Sequence, residues 1–121
     1  MYVRSMDRIA LGRAGEDLAA TYLQKRGWRI VARNVRSREG EIDIIASRCG
    51  VLAFVEVKTR RSVSYGSPAE AVTQRKAKRI RELARRYLAD EQPRAQSVRF
   101  DVMDIARSAG GFRITHIEGA F

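Results

Sequence analysis

GEIDIIASRCGVLAFVEVKT, residues 40–59, holds two extended runs divided by a turn, and its reading decides the fold. Glu41 to Ala46 and Val51 to Thr59 are rich in β-branched and aromatic residues, and Cys49-Gly50 between them suits a tight hairpin. Working backwards, Trp28 to Val35 (WRIVARNV) is a third extended run, joined on by a turn around Arg38-Glu39-Gly40. Such short connections predict an antiparallel meander of three strands. Further upstream, Leu11, Gly15, Leu18, Ala19, Tyr22 and Leu23 recur at helical spacing. They predict a helix from about Asp7 to Arg26, capped by Asp7 and ended at Gly27. Gly12 and Gly15 each cost that helix about 1 kcal/mol relative to Ala, so they point to a close approach by a strand or a ligand.

Working forwards, Arg60 to Ser67 (RRSVSYGS) interrupts both periods and reads as a loop. Ser67 as cap and Pro68 in the first turn predict a helix to about Ala89. Ala77, Ile80, Leu83, Ala84, Tyr87 and Leu88 form its buried face. A polar linker, Asp90 to Gln96, leads to a strand at Val98 to Ile105, and Gly110-Gly111 turns the chain into Phe112 to Ile117. A helix between the third and fourth strands makes them parallel neighbours, giving an α/β fold with a mixed sheet flanked by helices. There is no internal repeat, and 121 residues suit a single domain over 1–121, with 1–6 as a disordered N-terminus.

Charge narrows the function. Twenty-four Lys and Arg stand against fourteen Asp and Glu, a formal net charge of +10. Such a surplus on a small domain predicts a polyanionic partner, because clustered cations displace counterions condensed on a phosphate backbone. Much of it falls on the second predicted helix, where Arg75, Lys76, Lys78, Arg79, Arg81, Arg85 and Arg86 face only Glu70 and Glu82. Lys25, Arg26, Arg29, Arg33, Arg36 and Arg38 form a second basic cluster. One cysteine, Cys49, excludes an internal disulfide and a zinc knuckle. No apolar run approaches the ~20 residues of a membrane span, and no secretory h-region is present, so no membrane partner and a cytoplasmic location are expected.

Three charged residues interrupt the apolar runs. Asp43 lies between Ile42 and Ile44, and Glu56 between Val55 and Val57, with Lys58 two residues on. Strand alternation puts Glu56 and Lys58 on one face. Half-buried and uncompensated, such charges would cost several kcal/mol, so each needs a partner. One role is an ion pair, Glu56–Lys58 or Asp43–Lys58, on an exposed sheet face. The other is a divalent metal held by Asp43, Glu56 and the Val57 carbonyl. Oxygen ligands of this kind suit Mg²⁺ or Mn²⁺, with Lys58 placed to orient water or offset charge on phosphorus.

Asp43 followed by Glu56-Val57-Lys58 on neighbouring strands resembles the PD-(D/E)xK nuclease superfamily, whose core order is αβββαβ. The fuller run of Gly12-Arg-Ala-Gly15-Glu16, Asn34-Val35-Arg36, Gly40 to Ala46 and Phe54 to Lys58 resembles one bacterial branch of it. That branch is the uncharacterised protein family 0102, the YraN-like proteins, similar in layout to archaeal Holliday junction resolvases. The resemblance implies a restriction-endonuclease-like fold, Asp43 and Glu56 as metal ligands and Lys58 as the catalytic lysine. By the resolvase analogy it also implies Glu16 facing the site and a homodimer. Ile42 stands where the superfamily name has Pro. The activity so implied is Mg²⁺-dependent cleavage of DNA, favoured over RNA, in branched or single-stranded forms. A non-catalytic nucleic-acid-binding module on the same fold is the alternative. It gives the carboxylates no purpose, since acids repel phosphate unless a cation intervenes.

Other residues have two readings each. Glu41 shares the face of Asp43 as a supporting acid, or is a solvated residue at a turn. Gln74, Arg75, Lys76 and Arg79, early in the basic helix, reach phosphates, with Gln74 a plain surface residue otherwise. Arg60, Arg61 and Tyr65 suit a loop that contacts nucleic acid, Tyr65 stacking on a base or packing on its own loop. Asp101 is expected to pair with a local Arg, His116 to be structural, and Cys49 to be no nucleophile.

Overall fold

The computed structural model describes residues 8–61 and 72–121 of the chain. The elements run α1 (Arg8–Lys25), β1 (Arg29–Ser37), β2 (Gly40–Arg48), β3 (Val51–Arg60), α2 (Gln74–Glu91), β4 (Ser97–Ser108) and β5 (Gly111–Ile117). The strands form one sheet in the order β1-β2-β3-β4-β5. The first three are an antiparallel meander, β3 and β4 are parallel, and β5 returns antiparallel to β4. This mixed α/β architecture is the one expected, with an αβββαβ order followed by one more strand.

Local chemistry explains the joints. Cys49 and Gly50, with φ of 50° and 79°, both adopt the left-handed backbone that a two-residue hairpin turn demands. Gly15 is where α1 meets the sheet, since a Cβ there would lie 2.0 Å from Thr59 Oγ1. The missing side chain lets the helix lie down on β3. Gly12, by contrast, has nothing within 4 Å of a built Cβ.

The core has two layers. Ala19, Ala20 and Leu23 of α1 pack with Trp28, Ile44, Ala46, Ala53, Val55, Met103 and Ile105 on one face of the sheet. On the other face, Leu83 and Ala84 of α2 pack over Ile42, Ile45, Leu52 and Phe54. No described helix is long and apolar enough to cross a membrane.

Two boundaries differ from expectation. The helix read from Pro68 to Ala89 begins, within the described residues, at Gln74 and ends at Glu91. Thr73 is its cap: extended at ψ 163°, it accepts the Lys76 N–H on its hydroxyl at 3.2 Å and the Ala77 N–H on its carbonyl at 2.8 Å. Ser67 and Thr73 both have capping hydroxyls, and sequence alone does not rank them. Arg60, read as the start of a loop, instead closes β3 opposite Ala106. The disordered N-terminus, the Asp7 cap, Tyr65, the Ser67 cap, Pro68 and Glu70 lie outside the described residues.

Candidate metal and nucleic-acid site

Strict alternation fails in β2. Ile42 packs beneath α2 while Ile44, two residues on, packs beneath α1. The β2–β3 ladder begins only at the pair Ile44↔Val55, and across β1 the residue facing Asp43 in register, Asn34, has a left-handed φ of 52°. At Asp43 the two strands therefore part. The Val57 N–H, left without a ladder partner on β2, donates to Asp43 Oδ2 at 2.8 Å. A carboxylate thus replaces a backbone acceptor at the point where the sheet opens, which satisfies the amide and fixes the side chain.

The opening is a cleft of about 340 Å³ lined by Gly12 and Glu16 of α1, Asp43, Glu56 to Thr59, and Arg61 and Lys76, among others. Asp43, Glu56, Val57 and Lys58 therefore share one cavity, and α1 brings Glu16 to it, as expected. Glu41 proves to share the site. Glu16, Glu41 and Asp43 each offer a carboxylate oxygen, and these lie within 4.8 Å of one another. Glu56, only 7% exposed, is on the far flank, where Lys76 Nζ meets its Oε1 at 2.5 Å. Lys58 is exposed at the mouth.

Charge crowding sets the electrostatics. Burial, then the neighbouring Glu56 charge, with smaller contributions from Glu16 and Glu41, pushes the Asp43 carboxyl up to about 8 against the opposing Val57 N–H. Glu16 is raised too, first by burial and then by Glu41, while a hydrogen bond from Asn34 and the charge of Arg33 work against the shift. Acids that raise one another in a cleft are a recurrent mark of functional sites. The donors are all hard oxygens; the chain's single His and single Cys are elsewhere, His116 on β5 and Cys49 in the hairpin turn. That set fits Mg²⁺ or Mn²⁺ and not a thiolate or imidazole metal.

The basic residues divide. Arg75 and Arg79 line a neighbouring groove with Lys78, Leu83, Arg86 and Glu39, and Gln74 is exposed in the first turn of α2. Among the described residues Arg75, Lys78, Arg79 and Arg81 form no ion pair. Arg60 is different. Its guanidinium donates to buried Asp104 at 2.8 Å, an engagement that also raises its pKa. In the second cluster, Arg33 pairs with Asp17 at 2.7 Å and Arg36 with Glu41 at 3.4 Å.

Asp101 has the partner expected of it and two more. Arg99 donates twice at 2.9 Å, His116 lies at 2.8 Å and the Gly119 N–H at 3.0 Å. Burial disfavours this carboxylate, but the bonds from His116 and Arg99 prevail and hold it below the usual range. His116 is structural, wedged edge-on against Tyr22 and Trp28. Asp104 was not legible as a working residue, and Asn34 entered only within the run that carries the family resemblance.

The model of the uncharacterised protein family UPF0102 matches residues 15–105, a span holding every acid of the cleft. A UPF0102 protein of Rhodococcus jostii is 54% identical over 114 residues, 93% of this chain and 97% of the relative. One from Frankia casuarinae is 52% identical over 113 residues, 93% and 96% of the two chains. A more distant one, from Syntrophotalea carbinolica, is 45% identical over 114 residues, 94% and 93% of the two.

Proposed function

The chain belongs to the uncharacterised protein family UPF0102, and we propose that it is a divalent-cation-dependent endonuclease acting on phosphodiester bonds of DNA, branched or single-stranded forms included. One observation carries the reading: a half-buried Asp43 crowded by Glu56, Glu16 and Glu41, in a chain of net charge +10, at a cleft flanked by Lys58 and Lys76. Packed acids gain nothing from a polyanion unless a cation lies between them, whereas the surrounding bases favour phosphate outright.

Asp43 would hold Mg²⁺ or Mn²⁺ with Glu56 and the Val57 carbonyl on one flank and Glu16 and Glu41 on the other. Such an ion supplies Lewis-acid polarisation of a phosphoryl oxygen and lowers the pKa of water. The rest is work for the chain. Val57 N–H holds Asp43 in one rotamer. Lys58, exposed at the mouth, offsets negative charge growing on the non-bridging oxygens. Gly12 leaves the floor of the cleft clear for a backbone to approach. Arg75 and Arg79 give the strand a path along α2, Gln74 adds an uncharged donor, and Arg61 lines the cleft itself.

The test is cleavage of a panel of branched, flapped, single-stranded and linear DNAs with Mg²⁺ or Mn²⁺. Wild type should cut at least one, and Asp43→Asn and Glu56→Gln should lower the rate at least 100-fold. Salt-sensitive binding of the same DNAs without any cleavage would instead establish a binding module.

A further inference from the structure

Glu56 is the buried half of an unequal ion pair. Its side chain is 8% exposed, whereas that of Lys76 is 44% exposed. Strand β3 fixes Glu56, while the four-carbon stem of Lys76 lets its ammonium reach solvent once another cation serves Glu56. Lys76 is also in a position its helix disfavours. It is the third residue after the Thr73 cap, Arg75 is the second, and the first turn holds no acid. The positive end of the helix dipole favours acids there and repels cations. The Glu56 carboxylate offsets that repulsion for Lys76, whereas Arg75 has no ion pair among the described residues.

We propose that Lys76 is a tethered counter-ion for Glu56 that a divalent cation displaces and a nucleic-acid phosphate receives, so that the cation and the strand bind cooperatively. The inference rests on the nuclease reading of the cleft and concerns its regulation. A buried carboxylate needs a positive neighbour, because a charge left uncompensated in a partly dry site is strongly destabilising. Lys76 fills that need when no cation is present. A divalent ion between Asp43 and Glu56 fills it better and repels the ammonium. Lys76 then swings towards Arg75 and Arg79, where a phosphate oxygen is its natural acceptor. Run backwards, a phosphate that draws Lys76 away bares Glu56 and raises its affinity for the ion. Linkage requires the two effects to be equal.

The test measures Mn²⁺ affinity from the spin-resonance signal of the free ion, and affinity for a short phosphorothioate oligonucleotide, which resists hydrolysis, from anisotropy. Wild type should bind the oligonucleotide about 10-fold more tightly with saturating Mn²⁺ at constant ionic strength, inside the usual range of coupling. Lys76→Met, which keeps the stem, should bind Mn²⁺ at least 5-fold more tightly than wild type in the absence of DNA. It should also lose the coupling, while Lys76→Arg retains it. Thermal melts provide a second readout: Lys76→Met should melt below wild type without cation and gain more from Mn²⁺. If Lys76→Met binds Mn²⁺ no better than wild type, or its coupling persists undiminished, the proposal is overturned. Coupling that is found alongside no cleavage of any DNA would overturn the catalytic part of the nuclease reading and leave its cation and nucleic-acid sites, on which this proposal rests.

Discussion

Replacing Asp43 by Asn should stabilise the cation-free protein and abolish its response to Mn²⁺. Asn keeps an oxygen for the Val57 N–H but removes a charge that burial, Glu56, Glu16 and Glu41 all oppose. The carboxyl is raised from 3.8 to about 8, so across that interval the folded chain keeps a proton that the unfolded chain has released. The stability due to the neutral form is complete below the lower value and is lost as the pH climbs through the upper one. At ~1.4 kcal/mol per unit the whole interval caps the effect near ~6 kcal/mol. Water in the open cleft and relaxation of the acids reduce it, so we expect a gain of about 1–3 kcal/mol for Asp43→Asn at about pH 8. For a chain of this length that raises Tm by roughly 4–12 °C, and by nothing at about pH 4. Thermal melts of both proteins with EDTA across that range read it directly. With Mn²⁺ the wild-type Tm should rise by an amount that grows with pH, because the carboxyl sheds its proton to bind, and the variant should not move. A variant that melts below wild type at about pH 8, or a difference independent of pH, would refute this account of the cleft.

Further outcomes follow from the packing and the charges. Gly15→Ala should destabilise by about 1–3 kcal/mol in denaturant melts, since its methyl meets Thr59, while Gly12→Ala, in open space, should gain about 0.5–1 kcal/mol. Equal effects of the two would contradict the close approach of α1 and β3. Arg75→Glu with Arg79→Glu should weaken DNA binding similarly for all sequences and flatten its salt dependence by about two phosphates' worth, read from anisotropy at several salt concentrations. Asp101→Asn should cost about 1–3 kcal/mol at neutral pH, since it weakens the bonds from Arg99 and leaves that guanidinium only Glu118, at 3.5 Å, as an ion-pair partner. The Asp101 pKa is depressed in the fold, so its contribution is present above the ordinary carboxylate range and is lost as pH falls through the lowered value. The two proteins should therefore converge in acid titrations followed by circular dichroism.

The sequence was most legible where one physical rule acts alone. Alternating β-branched residues and a Cys49-Gly50 turn leave few options, and the meander, the crossover through α2 and the last hairpin all stand where pattern puts them. Gly15 was readable because a helix tolerates glycine at a cost that something must justify. Legibility ended where two rules compete. Ser67 and Thr73 can both cap a helix, and the hydrogen bonds at Thr73 are not written in either residue. Arg60 looks like a loop residue until Asp104, far along the chain and buried, is seen to hold it. The break in β2 was hidden because Ile42, Asp43 and Ile44 fit unbroken alternation, and only the third dimension shows Ile42 and Ile44 on opposite faces. That break determines the site, since it frees Val57 N–H for Asp43 and brings Glu41 within reach of Glu16. Spacing suggested Lys76 as a phosphate contact; its grip on Glu56 is a tertiary fact.

Anomalous diffraction at the manganese edge, from crystals of wild type and Asp43→Asn grown with Mn²⁺, asks directly whether these carboxylates hold a cation. The wild type should show a peak in contact with the Asp43 carboxylate inside the cleft, and the variant should show none there. A wild-type map with no peak beside Asp43, or a peak that survives in the variant, would contradict the assignment.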